Sequence, residues 1–167
     1  MRVLFTVALA VAVAAVAFPA IDAVGVERAE TQTGAAVDRL VTAARSLAAG
    51  NDALPAERGP ARAIVELHLP SGGVASAPLE SLTVGPPAMD APGSDSGEAV
   101  SATAATRISW RVDGGGRHVR QVAGLRIRSV SADRFTTGGG RQRLVLRLVR
   151  REGRRVVTVT TGPRRFK

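Results

Sequence analysis

Nineteen residues, from Val3 to Ile21, pass without a single charge. At about 1.5 Å per helical residue such a run reaches about 28 Å, close to the roughly 30 Å hydrocarbon layer of a bilayer. The apolar cores of secretory signals are shorter, roughly 7–15 residues. The run is therefore expected to act as a single membrane anchor, with Val3, Leu4, Phe5, Val7, Leu9, Val11, Val13, Val16, Phe18 and Pro19 as its anchoring residues. A cleaved signal is the alternative, because Ala17, Ala20 and Ala23 offer small residues beside a cut. Arg2 and the α-amino group precede the run, and Asp22, Glu27 and Glu30 follow it. Positive charge is retained on the cytoplasmic side, so the N-terminus is expected inside and the remainder outside the cell membrane.

Past Pro19, which is expected to kink the helix, the pattern becomes amphipathic. Val37, Leu40, Val41, Ala44, Leu47 and Ala48 recur at steps of three and four, the spacing of one helix face, and Gly50 marks the stop. The chain then divides into a loop with first strands (51–84), a linker or insert rich in Pro, Gly, Ser and Ala (85–105), and an Arg-rich hairpin region (106–167). Residues 1–23 are the anchor or signal and 24–50 the amphipathic helix.

Strands announce themselves by alternation. Ala63, Val65, Leu67 and Leu69 share one side of Arg62–Leu69, and Leu79–Val84 offers a short second strand. Arg107–Val112 and Arg117–Val122 flank the turn Asp113-Gly114-Gly115-Gly116. Leu125–Val130 reads as a further strand, while Gln142–Val149 and Arg155–Thr161 flank Glu152-Gly153. Hairpins with short turns imply an antiparallel sheet whose apolar face needs a cover. The expected fold is α+β: a long N-terminal helix, transmembrane then amphipathic, packed on one small antiparallel β-sheet.

The junction Ala17-Phe18-Pro19-Ala20-Ile21-Asp22, followed by Glu27-Arg28-Ala29-Glu30 and Val37-Asp38-Arg39-Leu40, resembles that of type IV pilins and pseudopilins. The chain looks most like pilin-like membrane proteins of haloarchaea to which no function is assigned. The likeness covers about the first 50 residues and implies a membrane-held subunit of a type IV pilus-like or secretion-type assembly, with other pilin-like subunits or assembly proteins as partners. Two features depart from the pilin pattern. Only Met1-Arg2 stands where a basic leader ending in Gly is usual, and no acid precedes Asp22. The resemblance therefore implies an accessory protein that does not polymerise rather than a major pilin.

Charge is divided along the chain. Seventeen basic and three acidic residues lie from Arg107 onward, against six basic and eleven acidic before it. Arg111, Arg120, Arg126, Arg128, Arg147, Arg150, Arg151, Arg154 and Arg155 recur on strand-like segments and are expected to meet acidic surfaces. A solvated Arg face is the plainer reading. Nucleic acid is disfavoured, because stacking platforms are scarce, with Trp110, Phe135 and Phe166 the only aromatics after the anchor.

Enzyme chemistry finds no footing. The chain has no Cys, which removes thiolate nucleophiles, disulfides and thiolate metal sites. His68 and His118 stand apart in strand-like segments, Asp113 and Asp133 read as turn residues, and Trp110 reads as core. Gly114–Gly116 and Gly138–Gly140 lack the Lys-Ser/Thr of a phosphate loop and read as hairpin turns. No catalytic residue, metal, cofactor or small-molecule substrate is expected. The rival reading is a secreted basic module, released by signal cleavage, that contacts acidic polymers.

Overall fold

The computed structural model describes residues 2–50, 61–73, 76–87, 104–130, 132, 134–151 and 154–162, with the side chains of residues 2–5, 8, 10, 12–14, 16–21, 104 and 105 left aside. One helix, α1 (Arg2–Ala49), precedes nine strands: β1 (Arg62–Leu69), β2 (Ser71–Gly73), β3 (Ser76–Gly85), β4 (Ala104–Val112), β5 (Arg117–Ala123), β6 (Ile127–Ser129), β7 (Phe135–Thr137), β8 (Gly140–Arg151) and β9 (Arg154–Thr161).

The strands form two sheets, not one. The first has the order β1-β8-β9-β6; the second has β2-β3-β4-β5, with β7 also on β3. β2 pairs with the start of β3, at Ser76 and Pro78, and β7 with its end, at Leu82–Val84, so the two share one edge of β3. β6 runs parallel to β9, Ile127 beside Val157. The expectation of a transmembrane-then-amphipathic helix on a single small antiparallel sheet is thereby corrected. The protein is mostly β, in two sheets, one of which contains a parallel pair. Among the described residues no helix is long and apolar enough to cross a membrane. Of the expected anchor residues, Val7, Leu9 and Val11 are described and exposed, while the side chains of Val3, Leu4, Phe5, Val13, Val16, Phe18 and Pro19 lie outside the described residues.

α1 is continuous across Pro19, Gly25 and Gly34, against the expected interruption. Its packed stripe matches the period: Val37, Leu40, Val41, Ala44 and Leu47 are buried, and Ala29, Thr33 and Ala36 extend the stripe toward the N-terminus. Alanine at these contacts lets the helix lie close to the strands. Both sheets and the helix meet in one core, with Leu67, Leu144, Leu146 and Ile127 from the first sheet, Leu82, Val84, Ile108 and Val112 from the second, and Leu40 from α1. Each fully buried Leu or Ile contributes about 1.5–3 kcal/mol by leaving water.

Local chemistry shapes the second sheet. Register shifts between Leu79 and Ser81, so Glu80 is an extra residue in the strand, turned outward. Bulges of this kind re-aim a side chain, and here the carboxylate reaches Arg111 Nε at 3.4 Å. Gly114, at φ 73°, makes the β4–β5 turn as expected. Gly138–Gly140 is not a hairpin turn. It carries the chain from β7 in the second sheet to β8 in the first, and Gly139 presses on the backbone of Pro70 and Ser71. Pro70-Ser71-Gly72-Gly73, whose composition reads as the turn closing the first strand, instead contains strand β2 (Ser71–Gly73), and the expected linker or insert at 85–105 is corrected at its ends, because strands reach Gly85 and Ala104. Residues 88–103, Asp133, Glu152-Gly153 and Phe166 lie outside the described residues.

Candidate functional site

The strand register sorts the arginines by face. On β8, residues 142, 144 and 146 are buried, so 141, 143, 145, 147, 149 and 151 face away from the core. Across the sheet, Arg62 stands opposite Arg147, Ile64 opposite Val145, Glu66 opposite Arg143 and His68 opposite Arg141. β9 places Thr158 beside Arg147 and Arg154 beside Arg151, and β6 brings Arg128 beside Thr158. The outer face of the first sheet thus carries Arg62, Arg128, Arg141, Arg143, Arg147, Arg151 and Arg154. Among the described residues, Glu66 is the one carboxylate that the register puts among these arginines.

This gathers only part of the expected set. Arg128, Arg147, Arg151 and Arg154 share that face. Arg150 and Arg155 are opposite one another on its other side, beyond Leu148 and Val157, where Arg155 donates to the Ala48 carbonyl at the C-terminus of α1 (3.3 Å). Arg126 lies between β5 and β6, and with Arg45 and Arg155 it borders an apolar-floored cleft of about 430 Å³ against Ala48, Leu125 and Val157. Arg111 and Arg120 belong to the second sheet, where Arg111 pairs with Glu80 and Arg120 bonds Asp38 of α1. Arg120 is therefore engaged in holding β5 to the helix. Arg62, Arg141 and Arg143 were missed, although the two-residue spacing of Arg141, Arg143 and Arg147 is visible in the sequence.

Among the described residues, three strand pairs place one arginine directly opposite another at four positions: Arg62 and Arg147, Arg150 and Arg155, Arg151 and Arg154, Arg111 and Arg117. Like charges in such pairs destabilise a sheet. Contacts within the fold offset this for Arg111, paired with Glu80, and for Arg155, bonded to the Ala48 carbonyl.

The two histidines are occupied structurally. His118 stacks on Trp110 at 5.3 Å between ring centroids, and its Nε2 lies 2.9 Å from Oε1 of Glu30 without the alignment of a good hydrogen bond. Trp110 packs against the core, as its face with Ile108 and Val112 suggests. Arg141 Nε donates to Nε2 of His68 at 3.1 Å, and Gln32 Nε2 donates to the His68 carbonyl. Asp113 sits in the β4–β5 turn, its N–H bonded to the Pro78 carbonyl. Among the described residues no three His, Asp or Glu side chains gather as metal ligands.

Fold and surface together describe a helix-led protein of two sheets with an arginine-coated outer face. Residues 1–162 match the family model described as a domain of unknown function (DUF7311), and the chain belongs to that family. Neither a curated protein nor a solved structure matches it.

Proposed function

We propose that this protein is a pilin-like structural or accessory subunit of a type IV pilus-like or secretion-type assembly, held at the membrane through its N-terminal run and joined to acidic partners by the arginine face of its first sheet. The observation that carries the reading is the contrast between the two halves of α1. From Gly25 onward the helix buries a continuous stripe. Before it, the described Val7, Leu9 and Val11 are 56–63% exposed on a helix continuous with the packed half. The protein's own core leaves these three apolar side chains uncovered, and clustered exposed apolar side chains mark a surface that meets lipid or another protein.

Fractionation with alkaline carbonate washing, joined to mass analysis of the intact N-terminus, tests this. Full-length protein kept in the washed pellet supports it. Full-length protein in the supernatant sinks it. A soluble product starting near Ile21 or Val24 favours the secreted basic module, for which one observation speaks: the core begins at Ala29 and would survive the loss of the run.

A further inference from the structure

We infer that the outer face of the second sheet holds a site for a small tetrahedral oxyanion, phosphate or sulfate, between Arg107, Arg117 and Arg134. Three separate segments bring these side chains together. Arg107 comes from β4, Arg117 from the start of β5, and Arg134 from the residue before β7. With Thr83, Gly85, Pro86 and Ser109 they line a cleft of about 140 Å³. Drug-sized ligands occupy roughly 300–1,000 Å³, so this volume suits a single anionic group and not a nucleotide or cofactor.

The charge balance points the same way. The nearby carboxylate, Glu80, is spent on Arg111. Among the described residues no carboxylate pairs with Arg107, Arg117 or Arg134. Arg107 Nε is shut away from solvent and lacks a hydrogen-bond partner, and a buried donor left in that condition is unfavourable. An anion's oxygen in the cleft would satisfy it once the Arg107 side chain turns its Nε outward. The hydroxyls of Thr83 and Ser109, opposite one another in the β3–β4 register, add donors that a tetrahedral group can use, that of Thr83 when Thr136 is the donor in their 3.3 Å contact. Guanidinium forks match such oxygens in geometry as well as charge.

The cleft also shows a built feature. The stem of Arg134 lies across Gly85, where any Cβ would come within 2.6 Å of its Cγ. Glycine at 85 thus lets the stem of Arg134 lie against the sheet at the rim of the cleft that Arg107 also lines. The site is separate from the arginine face of the first sheet, and neither reading depends on the other.

Titration calorimetry on the full-length chain, with inorganic phosphate and with sulfate at constant ionic strength set by sodium chloride, reads the site. One saturable site is expected. R117Q and R134Q should weaken it about tenfold or more, a loss typical of a charge-assisted contact, while the exposed helix variant R39Q leaves it unchanged. G85A keeps every charge yet should weaken binding by lifting Arg134. Phenyl phosphate competing with phosphate would extend the site to phosphate esters, and phosphate alone binding would restrict it to the free ion. Phosphate heats no greater than those of chloride would overturn the proposal, as would unchanged binding in folded R117Q and R134Q, both at exposed positions whose folding circular dichroism confirms.

Discussion

The hydroxyl of Thr106, in the second sheet, accepts the backbone N–H of Ile127, in the first, at 2.8 Å. The same hydroxyl donates to the Leu125 carbonyl at 2.6 Å. Ile127 begins a strand that is parallel to β9, and its N–H is satisfied by this side chain from the other sheet. One buried oxygen therefore ties the two sheets together at the point where the chain passes between them.

Replacing Thr106 with Val keeps the shape and removes both bonds. The Ile127 N–H and Leu125 C=O would then be buried without partners, and leaving such a group unsatisfied costs about 1–3 kcal/mol. Urea unfolding should show T106V less stable by about 2–4 kcal/mol, two such groups being stranded. T106S, which retains the hydroxyl, should lose only about 1 kcal/mol for the missing methyl. Equal losses in the two variants would remove the hydroxyl from the account. Thr33 offers the contrast: its hydroxyl bonds back only to the Ala29 carbonyl within α1, so T33V should be near neutral.

Two glycines should respond oppositely to alanine. A Cβ at Gly139 would stand 2.1 Å from the Pro70 carbonyl oxygen, a backbone atom that cannot swing aside. G139A is expected to cost about 1–3 kcal/mol, the range for overpacking. Gly34 lies inside α1 with nothing within 4 Å of its Cβ direction. There alanine restricts the unfolded chain and suits the helix, so G34A should gain about 0.5–1 kcal/mol. Denaturation midpoints moving the same way in both variants would contradict this account.

The pairing of Arg62 with Arg147 separates stability from binding. R147E turns a repulsive cross-strand pair into an attractive one and should stabilise the fold by about 0.2–1 kcal/mol. The same change should weaken attachment of a fluorescent poly-glutamate probe, measured by anisotropy. A face that is merely solvated predicts the stability gain with no effect on the probe.

Salt provides an independent check of that face. Screening lengths fall from about 10 Å at 0.1 M to about 3 Å at 1 M. Probe binding carried by exposed guanidinium groups should decline steadily over that interval. Insensitivity to salt would mean that the probe is held by apolar contact, for instance around the exposed Ile64.

Much of the secondary structure is legible along the chain because helix and strand periods are local properties. The stripe from Val37 to Leu47 and the alternation of Ala63, Val65, Leu67 and Leu69 each report a face before any partner is known. The glycines after Asp113 likewise declare a hairpin turn, because adjacent strands supply its only context. Gly138–Gly140 has the same composition and a different role, which depends on Pro70, nearly seventy residues earlier.

The amino-acid sequence by itself determined where α1 turns amphipathic, most of the strand segments, and the concentration of arginine after residue 107, since all of these follow from the order of neighbouring residues. Only the tertiary structure decided that the strands divide between two sheets, that β6 lies parallel to β9, and that Arg107, Arg117 and Arg134 converge while Arg120 turns to Asp38. Those outcomes depend on which apolar faces bury one another across long stretches of chain. Side-chain periodicity says which way a residue points from its own strand but not which strand lies beside it.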